Sequence, residues 1–140
     1  MIYADTSVIL AFYRPEAASG RAQAFFGSLK QPALISSLTA VEFASALARW
    51  VRVNEISDAD ATRIYAAFLG DIDDGCYQII PLVSAHYHQA TAWLLSRKSA
   101  LRTLDALHLA CAAKREVPLA TFDRSLMSAA ARCGVRLHKF

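Results

Sequence analysis

The feature that most constrains the fold of this chain is a regular alternation of short apolar runs with longer segments of helical periodicity. The short runs predict strands, and several of them are almost continuously apolar, as strands buried on both faces usually are. The predicted strands cover residues 2–4, 33–36, 78–83, 118–122 and 135–140. Strands that alternate with helices are typical of an α/β domain, in which helices cover both faces of a parallel sheet.

Predicted helices occupy the segments between the strands, because apolar residues recur there at helical spacing or because helix-capping residues precede them. They cover residues 8–13, 17–30, 39–53, 57–72, 85–98, 104–115 and 124–132. The chain contains no internal repeat, low-complexity segment or linker, and its 140 residues suit one compact domain. We therefore expect a single domain over residues 1–140.

Composition leaves the class of partner open. Lys and Arg number 15 against 12 Asp and Glu, and the resulting net charge of +3 is compatible with a polyanionic substrate without requiring one. Hydrophobic residues make up 55% of the chain, which indicates either an efficient core or an apolar surface that a partner covers.

The sequence favours a cytosolic protein that does not cross a membrane. Its three cysteines have no metal-type or CxxC spacing, so we expect reduced and mostly buried thiols. The first residues, MIYADTSV, lack the basic region of a signal peptide. No apolar stretch approaches the ~20 residues that a membrane-spanning helix needs.

The acidic residues fall into two groups by their surroundings. Eight lie among polar or turn-forming neighbours and are expected on the solvated surface: Glu16, Glu55, Asp58, Asp60, Asp71, Asp73, Asp74 and Glu116. The other four lie in apolar segments, where a carboxylate is costly to bury unless it is paired or binds a metal: Asp5, Glu42, Asp105 and Asp123. All four follow a strand or begin a helix, which places them at the ligand-binding edge of the predicted sheet.

Each of these four acids also has a purely structural explanation. Asp5 and Asp123 suit the N-cap of a helix, Glu42 completes a capping box with Thr39, and Asp105 would complement a helix dipole. At ~5 Å and an effective dielectric of ~20, however, two carboxylates repel by about 3 kcal/mol, whereas a helix N-terminus offsets only about 0.3–1 kcal/mol. A bound divalent cation would offset this repulsion better than the helix N-termini do, and all-oxygen ligands favour Mg²⁺ or Mn²⁺.

Four segments of the chain resemble, in order, the motifs of the PIN-domain ribonucleases, and in particular those of the VapC toxins of bacterial toxin–antitoxin pairs. They are the strand ending in Asp5-Thr6-Ser7, Glu42 in LTAVEFASAL, Asp105 in LDALHLA and Asp123 in TFD. The resemblance covers the whole chain and shows no departure at an acidic position. It implies a three-layer α/β/α domain whose central parallel sheet has about five strands.

By the same resemblance, the chain is expected to cut RNA phosphodiesters with bound Mg²⁺ or Mn²⁺ and to leave a 5′-phosphate and a 3′-hydroxyl. Asp5 and Asp105 correspond to the main metal ligands of the family. Asp123 and Glu42 would complete the acidic cluster, either directly or through metal-bound water.

Residues close to the acids supply further candidates. Ser7 and Thr121 have hydroxyls that could orient carboxylates, although Thr121 also suits a strand because it is β-branched. Arg102 and Arg124 are close to site acids in sequence and could hold substrate phosphates, or they could be solvated surface cations. His108 shares a helix face with one of the acids, and we expect it to be a packed core histidine.

A VapC-type toxin implies a cognate antitoxin that covers apolar grooves, blocks the acidic site and carries a DNA-binding domain. It also implies a homodimer. The main alternative is a PIN-like module that binds RNA or protein without cutting. Two other enzyme classes fit less well: a phospho-receiver domain needs paired acids after the first strand, and a haloacid-dehalogenase phosphatase needs Asp-x-Asp where Ser7 takes the second place.

Overall fold

A computed structural model of the protein describes all 140 residues. The strands are β1 (Tyr3–Ala4), β2 (Ala33–Ser36), β3 (Tyr77–Ile80) and β4 (Leu119–Ala120). The helices are α1 (Thr6–Tyr13), α2 (Ser19–Ser28), α3 (Ser37–Arg52), α4 (Asp58–Asp73), α5 (Ser84–Ser96), α6 (Thr103–Lys114) and α7 (Arg124–Arg132). None of these helices combines the length and the apolar character that crossing a membrane requires.

The four strands form one parallel sheet in the order β3-β2-β1-β4. The central strand β1 is held from both sides, because Tyr3 is in register with Leu34 of β2 and with Leu119 of β4. The expected fifth strand at 135–140 is reduced to an isolated parallel bridge between Leu119 and Leu137. Since β4 has only two residues, it offers the last segment little more than one point of attachment.

One face of the sheet is covered by α1, α2, α3 and α4. A buried core joins these helices to the strands, with Val8, Ile9, Phe25, Phe43, Leu47, Trp50 and Phe68 from the helices and Ala4, Ala33, Ile35, Tyr77 and Ala120 from the sheet and its edges. The rings of Phe43 and Phe68 stack with their centroids 4.5 Å apart, which fixes α3 against α4.

The opposite face is covered by α6 and α7, whose side chains pack against Tyr3, Leu34 and Leu119 of the sheet. Helix α5 packs in turn on α6, so every residue of α6 from Asp105 to Ala112 is buried. The three-layer α/β/α architecture around a parallel sheet is therefore confirmed, and it places one acidic residue on a helix that lies inside the protein.

Several element boundaries differ from the predicted ones for local reasons. Helix α2 begins at Ser19 because the Ser19 hydroxyl accepts from the Glu16 N–H and donates to the Arg14 carbonyl, forming a turn ahead of the helix. Strand β3 ends at Ile80, since Pro81 has no N–H to continue a ladder.

Two surface expectations also change. Asp71 is half-buried rather than solvated, because its carboxylate accepts a hydrogen bond from the Tyr13 hydroxyl. Of the three free cysteines, Cys111 is buried as expected, whereas Cys76 is exposed.

Candidate active site

The four acids of the apolar segments line one cleft of about 600 Å³ at the carboxyl-terminal edge of the sheet. Asp5 follows β1 directly, Glu42 lies on α3 after β2, Asp105 lies in the first turn of α6, and Asp123 precedes α7 after β4. The other polar residues of the lining are Thr6, Ser7, Ser45, Arg49, Arg102 and His108. The fold thus brings the four carboxylates together at one edge of the sheet, as the sequence predicts.

Asp5 is buried, and both of its carboxylate oxygens accept hydrogen bonds. Its Oδ1 caps α1 by accepting from the N–H groups of Ser7 at 3.1 Å and Val8 at 3.4 Å, and it also accepts from the Ser7 hydroxyl at 2.6 Å. Its Oδ2 accepts from the Thr121 hydroxyl at 2.7 Å. Burial raises the pKa of Asp5 despite the nearby imidazole of His108 and these hydrogen bonds. A positive ion beside Asp5 would favour its charged form against this effect of burial.

The hydroxyls of Ser7 and Thr121 also tie Asp5 to the segment that carries Asp123. The Ser7 hydroxyl accepts from the Phe122 N–H at 2.9 Å, and the Thr121 hydroxyl accepts from the Asp123 N–H at 3.0 Å. These contacts tie the backbone of residues 122 and 123 to the two hydroxyls that hold the Asp5 carboxylate.

Glu42 is paired with a buried histidine. Its Oε2 lies 2.6 Å from Nε2 of His108 and also accepts from the Thr6 hydroxyl, while Nδ1 of His108 lies 2.7 Å from the Tyr3 hydroxyl. Burial acts to raise the pKa of Glu42, but the hydrogen bond and charge of His108, together with the Thr6 hydroxyl and the charge of Arg102, lower that pKa overall. Burial acts to lower the pKa of His108, but Glu42, together with the charges of Asp5 and Asp105, raises it overall. Both directions favour a charged Glu42 beside a protonated His108.

The capping-box explanation for Glu42 is wrong. Helix α3 begins at Ser37 with Ser36 at its N-cap, and the Glu42 carboxylate bonds side chains of α1 and α6 instead of the backbone of its own helix. The capping explanation does hold for Asp123, whose Oδ1 accepts from the Leu126 N–H at 3.0 Å. A cap uses only one oxygen of an aspartate, so Asp123 keeps a second oxygen for the cleft.

The guanidinium of Arg102 bridges the remaining two acids. Nε donates to Oδ2 of Asp105 at 2.8 Å, and Nη2 donates to Oδ2 of Asp123 at 3.1 Å. Nη2 also donates to Oδ1 of Asp105 at 3.4 Å, and the Arg102 side chain is 69% exposed, so its hydrogen bonds to these two acids are the ones that hold it in place. Arg124 is exposed and does not line the cleft.

The donor set fits a hard divalent cation in its chemistry, because it consists of carboxylates and neighbouring hydroxyls. No group of three or more His, Cys, Asp or Glu side chains is positioned to hold a metal ion as the side chains stand. Arg102 occupies Asp105 and Asp123, and His108 occupies one oxygen of Glu42. Ion binding therefore requires these side chains to rearrange, and the exposed Arg102 is the one most free to move.

His108 was expected in the core and is buried, at 2% exposure, but its contact with Glu42 was not expected. The one indication in the sequence that His108 lies near the site is its position three residues after Asp105, on the same face of α6. Thr6, Ser45 and Arg49 were missed as cleft residues. Thr6 was quoted only as part of the first motif, and the other two do not differ in their sequence surroundings from ordinary helix residues.

The family model described as the PIN domain matches residues 2–132 of the chain. The comparison with curated proteins gave no match. The chain is similar in structure to VapC20 of Mycobacterium tuberculosis, a sarcin-ricin loop cleaving toxin, with a TM-score of 0.74, 20% identity, and coverage of 92% of this chain and 95% of that one.

Two further solved structures share the fold. FitAcB from Neisseria gonorrhoeae aligns with a TM-score of 0.70 and 19% identity over 99% of this chain and 97% of the other. VapBC2 from Rickettsia felis, bound to a DNA fragment from its promoter, aligns with a TM-score of 0.67 and 14% identity over 99% and 98% of the two chains. At these identities the structural likeness establishes the fold alone.

Proposed function

Because the chain belongs to the PIN domain family, we propose that it is a metal-dependent endoribonuclease. It would hydrolyse RNA phosphodiesters and leave a 5′-phosphate and a 3′-hydroxyl. The observation that carries this proposal is the convergence of four carboxylates, from four separate segments, on one open cleft. Without a cation such a cluster is costly, and with one it is a common device for phosphoryl chemistry.

The residues of the cleft would have different roles in this reaction. Asp5, Asp105 and Asp123 would hold Mg²⁺ or Mn²⁺, with Glu42 beside them. The bound ion supplies Lewis acidity, which makes a water molecule more acidic and neutralises charge that develops on the phosphate. Ser7 and Thr121 keep the Asp5 carboxylate in a single orientation.

The remaining polar side chains prepare the cleft for an anionic substrate. His108 holds one oxygen of Glu42, while the other, Oε1, makes no hydrogen bond and is free to accept a proton or to bind water. Once Arg102 leaves Asp105 and Asp123, its guanidinium can reach a substrate phosphate as a bidentate donor. The predicted phosphate role of Arg102 thus depends on its release from the acids.

We further propose that the protein acts in the cytosol as the toxin of a toxin–antitoxin pair, as a homodimer, and is inhibited by its antitoxin. Support comes from structural relatives whose own descriptions name a toxin or a toxin–antitoxin complex. Exposed apolar side chains at the rim of the cleft, Val41 at 67% and Leu104 at 42%, suit a protein partner that covers the site.

The enzymatic proposal is tested by incubating purified protein with RNA in Mg²⁺, Mn²⁺ or EDTA. We expect cleavage by the parent with either metal and its loss in EDTA and in Asp5→Asn. Asp73→Asn, an exposed acid at the end of α4, is the matched control and should cut like the parent. The nuclease proposal fails if parent and Asp5→Asn are equally inert and calorimetry detects no metal binding. RNA that is bound without being cut would support the non-catalytic alternative.

The toxin role is tested separately in cells. Induced expression should arrest growth, and sequencing of RNA 5′ ends should show new ends that are absent with Asp105→Ala. Co-expression of a cognate antitoxin should restore growth. Normal growth on expression of an active nuclease would contradict the toxin role and leave the enzymatic proposal standing.

A further inference from the structure

A second depression on the molecule has a basic lining and adjoins the acidic cleft. It has a volume of about 350 Å³ and lies between the segment that follows α5 and the helix α7. Its polar lining consists of Arg97, Lys98, Ser99, Ser125, Ser128 and Arg132. We call it the basic pocket. Its lining contains three cationic residues and no carboxylate.

Both walls of the basic pocket continue along the chain into residues that line the acidic cleft. Ala100, at the end of one wall, is two residues before Arg102, and Ser125, at the start of the other, is two residues after Asp123. Two residues of chain span at most about 7 Å. The hydrogen bond between Arg102 and Asp123 joins the two walls at this boundary. The pocket is therefore within reach of an extended ligand that leaves the cleft on this side.

The wall that carries Arg97 and Lys98 has a defined conformation. Arg97 ends α5 in the left-handed region at φ 54°, where glycine is the usual residue and a side chain is uncommon. The guanidinium of Arg132 on α7 donates to the Lys98 carbonyl at 2.6 Å, which closes the pocket across its two walls. The cationic ends of Arg97 and Lys98 make no hydrogen bond or ion pair within the protein.

Cations interleaved with hydroxyls are the groups that proteins use to contact phosphate oxygens. Like charges held together in this way are relieved by an anion, and an open pocket suits an anion that belongs to a longer chain. The continuity of both walls with the cleft favours a nucleic-acid backbone over an acidic protein segment, because the substrate of the cleft is itself the source of further phosphates.

From this geometry we propose that the basic pocket binds a phosphodiester of the RNA backbone close to the one that is cut. The inference rests on the proposed function, since it takes RNA as the occupant of the cleft. It assigns Arg97, Lys98 and Arg132 to substrate positioning, with no part in the chemistry. Their contacts carry no base specificity and should act on RNA of any sequence.

The test measures binding of fluorescein-labelled oligouridylates of increasing length by anisotropy, in EDTA so that the RNA stays intact. The double variant Arg97→Gln/Lys98→Gln removes two charges whose side chains hold nothing else in place. The matched control, Arg52→Gln/Lys139→Gln, removes two exposed charges outside the pocket. Ser128→Asp is a second variant, which places a carboxylate in the pocket and leaves all of its cations present. Thermal unfolding checks that each variant folds like the parent.

We expect the pocket variants to bind the longest oligouridylate about tenfold more weakly than the parent, and the control to change by less than about twofold. The slope of log affinity against log salt should become shallower by about 0.7 for each phosphate that the variant no longer neutralises. The difference between parent and variant should shrink as the RNA is shortened.

The inference is overturned if the pocket variants bind long RNA like the parent, or if the control loses as much affinity as they do. It is also overturned if RNA binding is unchanged while binding to the co-expressed antitoxin is abolished, because the pocket is then a protein-binding surface. A parent that cuts RNA with Mg²⁺ while the pocket variants bind normally refutes this inference alone. A parent that neither binds nor cuts RNA refutes the proposed function with it.

Discussion

Two side chains of the protein itself, His108 and Arg102, supply positive charge to three of the four cleft carboxylates. His108 is buried and pairs with Glu42, whereas Arg102 is exposed and bridges Asp105 and Asp123. A buried partner fixes a carboxylate, and an exposed one can be exchanged for another cation. The two residues therefore predict opposite results on mutation.

Replacing His108 should separate the positioning of Glu42 from simple packing. His108→Gln keeps an N–H that can donate to Glu42, while His108→Leu leaves the carboxylate without it. We expect RNA cleavage to fall by about tenfold to a hundredfold in His108→Leu and to be largely rescued in His108→Gln. Equal reductions in both variants, measured as kcat/KM at equal folded fraction, would contradict a positioning role.

The same pair predicts how stability depends on pH. The pKa of His108 is raised above its ordinary 6.5, so its contribution is complete below that value and is lost as pH rises through the raised pKa. The pKa of Glu42 is lowered below its ordinary 4.5, so its contribution is present above that value and is lost as pH falls through the lowered pKa. The stability gap between parent and His108→Leu, measured by urea unfolding without divalent ions, should be widest between these values.

Arg102 competes with a metal ion for Asp105 and Asp123. Removing its charge in Arg102→Gln should tighten Mn²⁺ binding by about tenfold, because the carboxylates no longer have to release a guanidinium. Arg124→Gln removes the same charge from an exposed residue outside the cleft and serves as the control. Calorimetry at low ionic strength gives both affinities. An unchanged affinity in Arg102→Gln would show that the guanidinium and the ion do not share a site.

At the scale of elements, three of the four acids, Asp5, Asp105 and Asp123, occupy helix starts, where polar residues are favoured in any case. Asp5 caps α1 and Asp123 caps α7, so the same carboxylates both initiate helices and face the cleft. This double use explains why sequence alone could not choose between the structural and the catalytic explanations. The two roles differ in which oxygen they use, and only the structure shows that.

Substitutions at Asp123 can separate capping from catalysis. Asp123→Ser keeps a side-chain acceptor for the Leu126 N–H, so its unfolding free energy should stay within about 0.5 kcal/mol of the parent. Asp123→Ala removes the cap and should be destabilised by about 1 kcal/mol. RNA cleavage should be abolished in both. A serine variant that cuts like the parent would reduce Asp123 to a helix cap.

Helices and strands were predictable where the hydrophobic periodicity and the flanking turn or capping residues indicate the same element. Examples are β2 and α4, which begins with the Ser57 capping box. The end of the chain was not, because whether residues 135–140 form a strand depends on how much of β4 is available to pair with them. Neither the Glu42–His108 pair, 66 residues apart, nor the contact of Arg102 with Asp123, 21 residues apart, leaves a sequence pattern. Such contacts depend on tertiary approach alone.

At the scale of the whole molecule, a polar contact outside the acidic cleft joins α1, α4 and β3. The Tyr13 hydroxyl donates to Asp71 and lies 3.0 Å from the Tyr77 hydroxyl. Burial, followed by these neighbours, raises the pKa of Tyr13, so the hydroxyl stays protonated and able to donate at neutral pH. The contact holds together the layer that covers one face of the sheet.

Removing this contact should weaken the fold without touching the chemistry. Tyr13→Phe leaves a half-buried carboxylate without its donor and should lower the unfolding free energy by about 1–3 kcal/mol. Tyr87→Phe, at an exposed tyrosine, should change it by less than about 0.5 kcal/mol. Denaturant unfolding compares the two, and RNA cleavage per folded molecule should match the parent in both. A stable Tyr13→Phe protein would show that Asp71 is satisfied by water.

The hydrogen bond from Thr121 to Asp5 spans 116 residues, and β1 is held in the sheet by β2 on one side and β4 on the other. A ribosome therefore makes Asp5 long before it makes the residues that fix its carboxylate. A nascent or prematurely terminated chain that lacks residues 119–123 carries three of the acids and no assembled cleft. For a protein proposed to damage the cell that makes it, this connectivity delays the damage until translation of the domain is nearly finished.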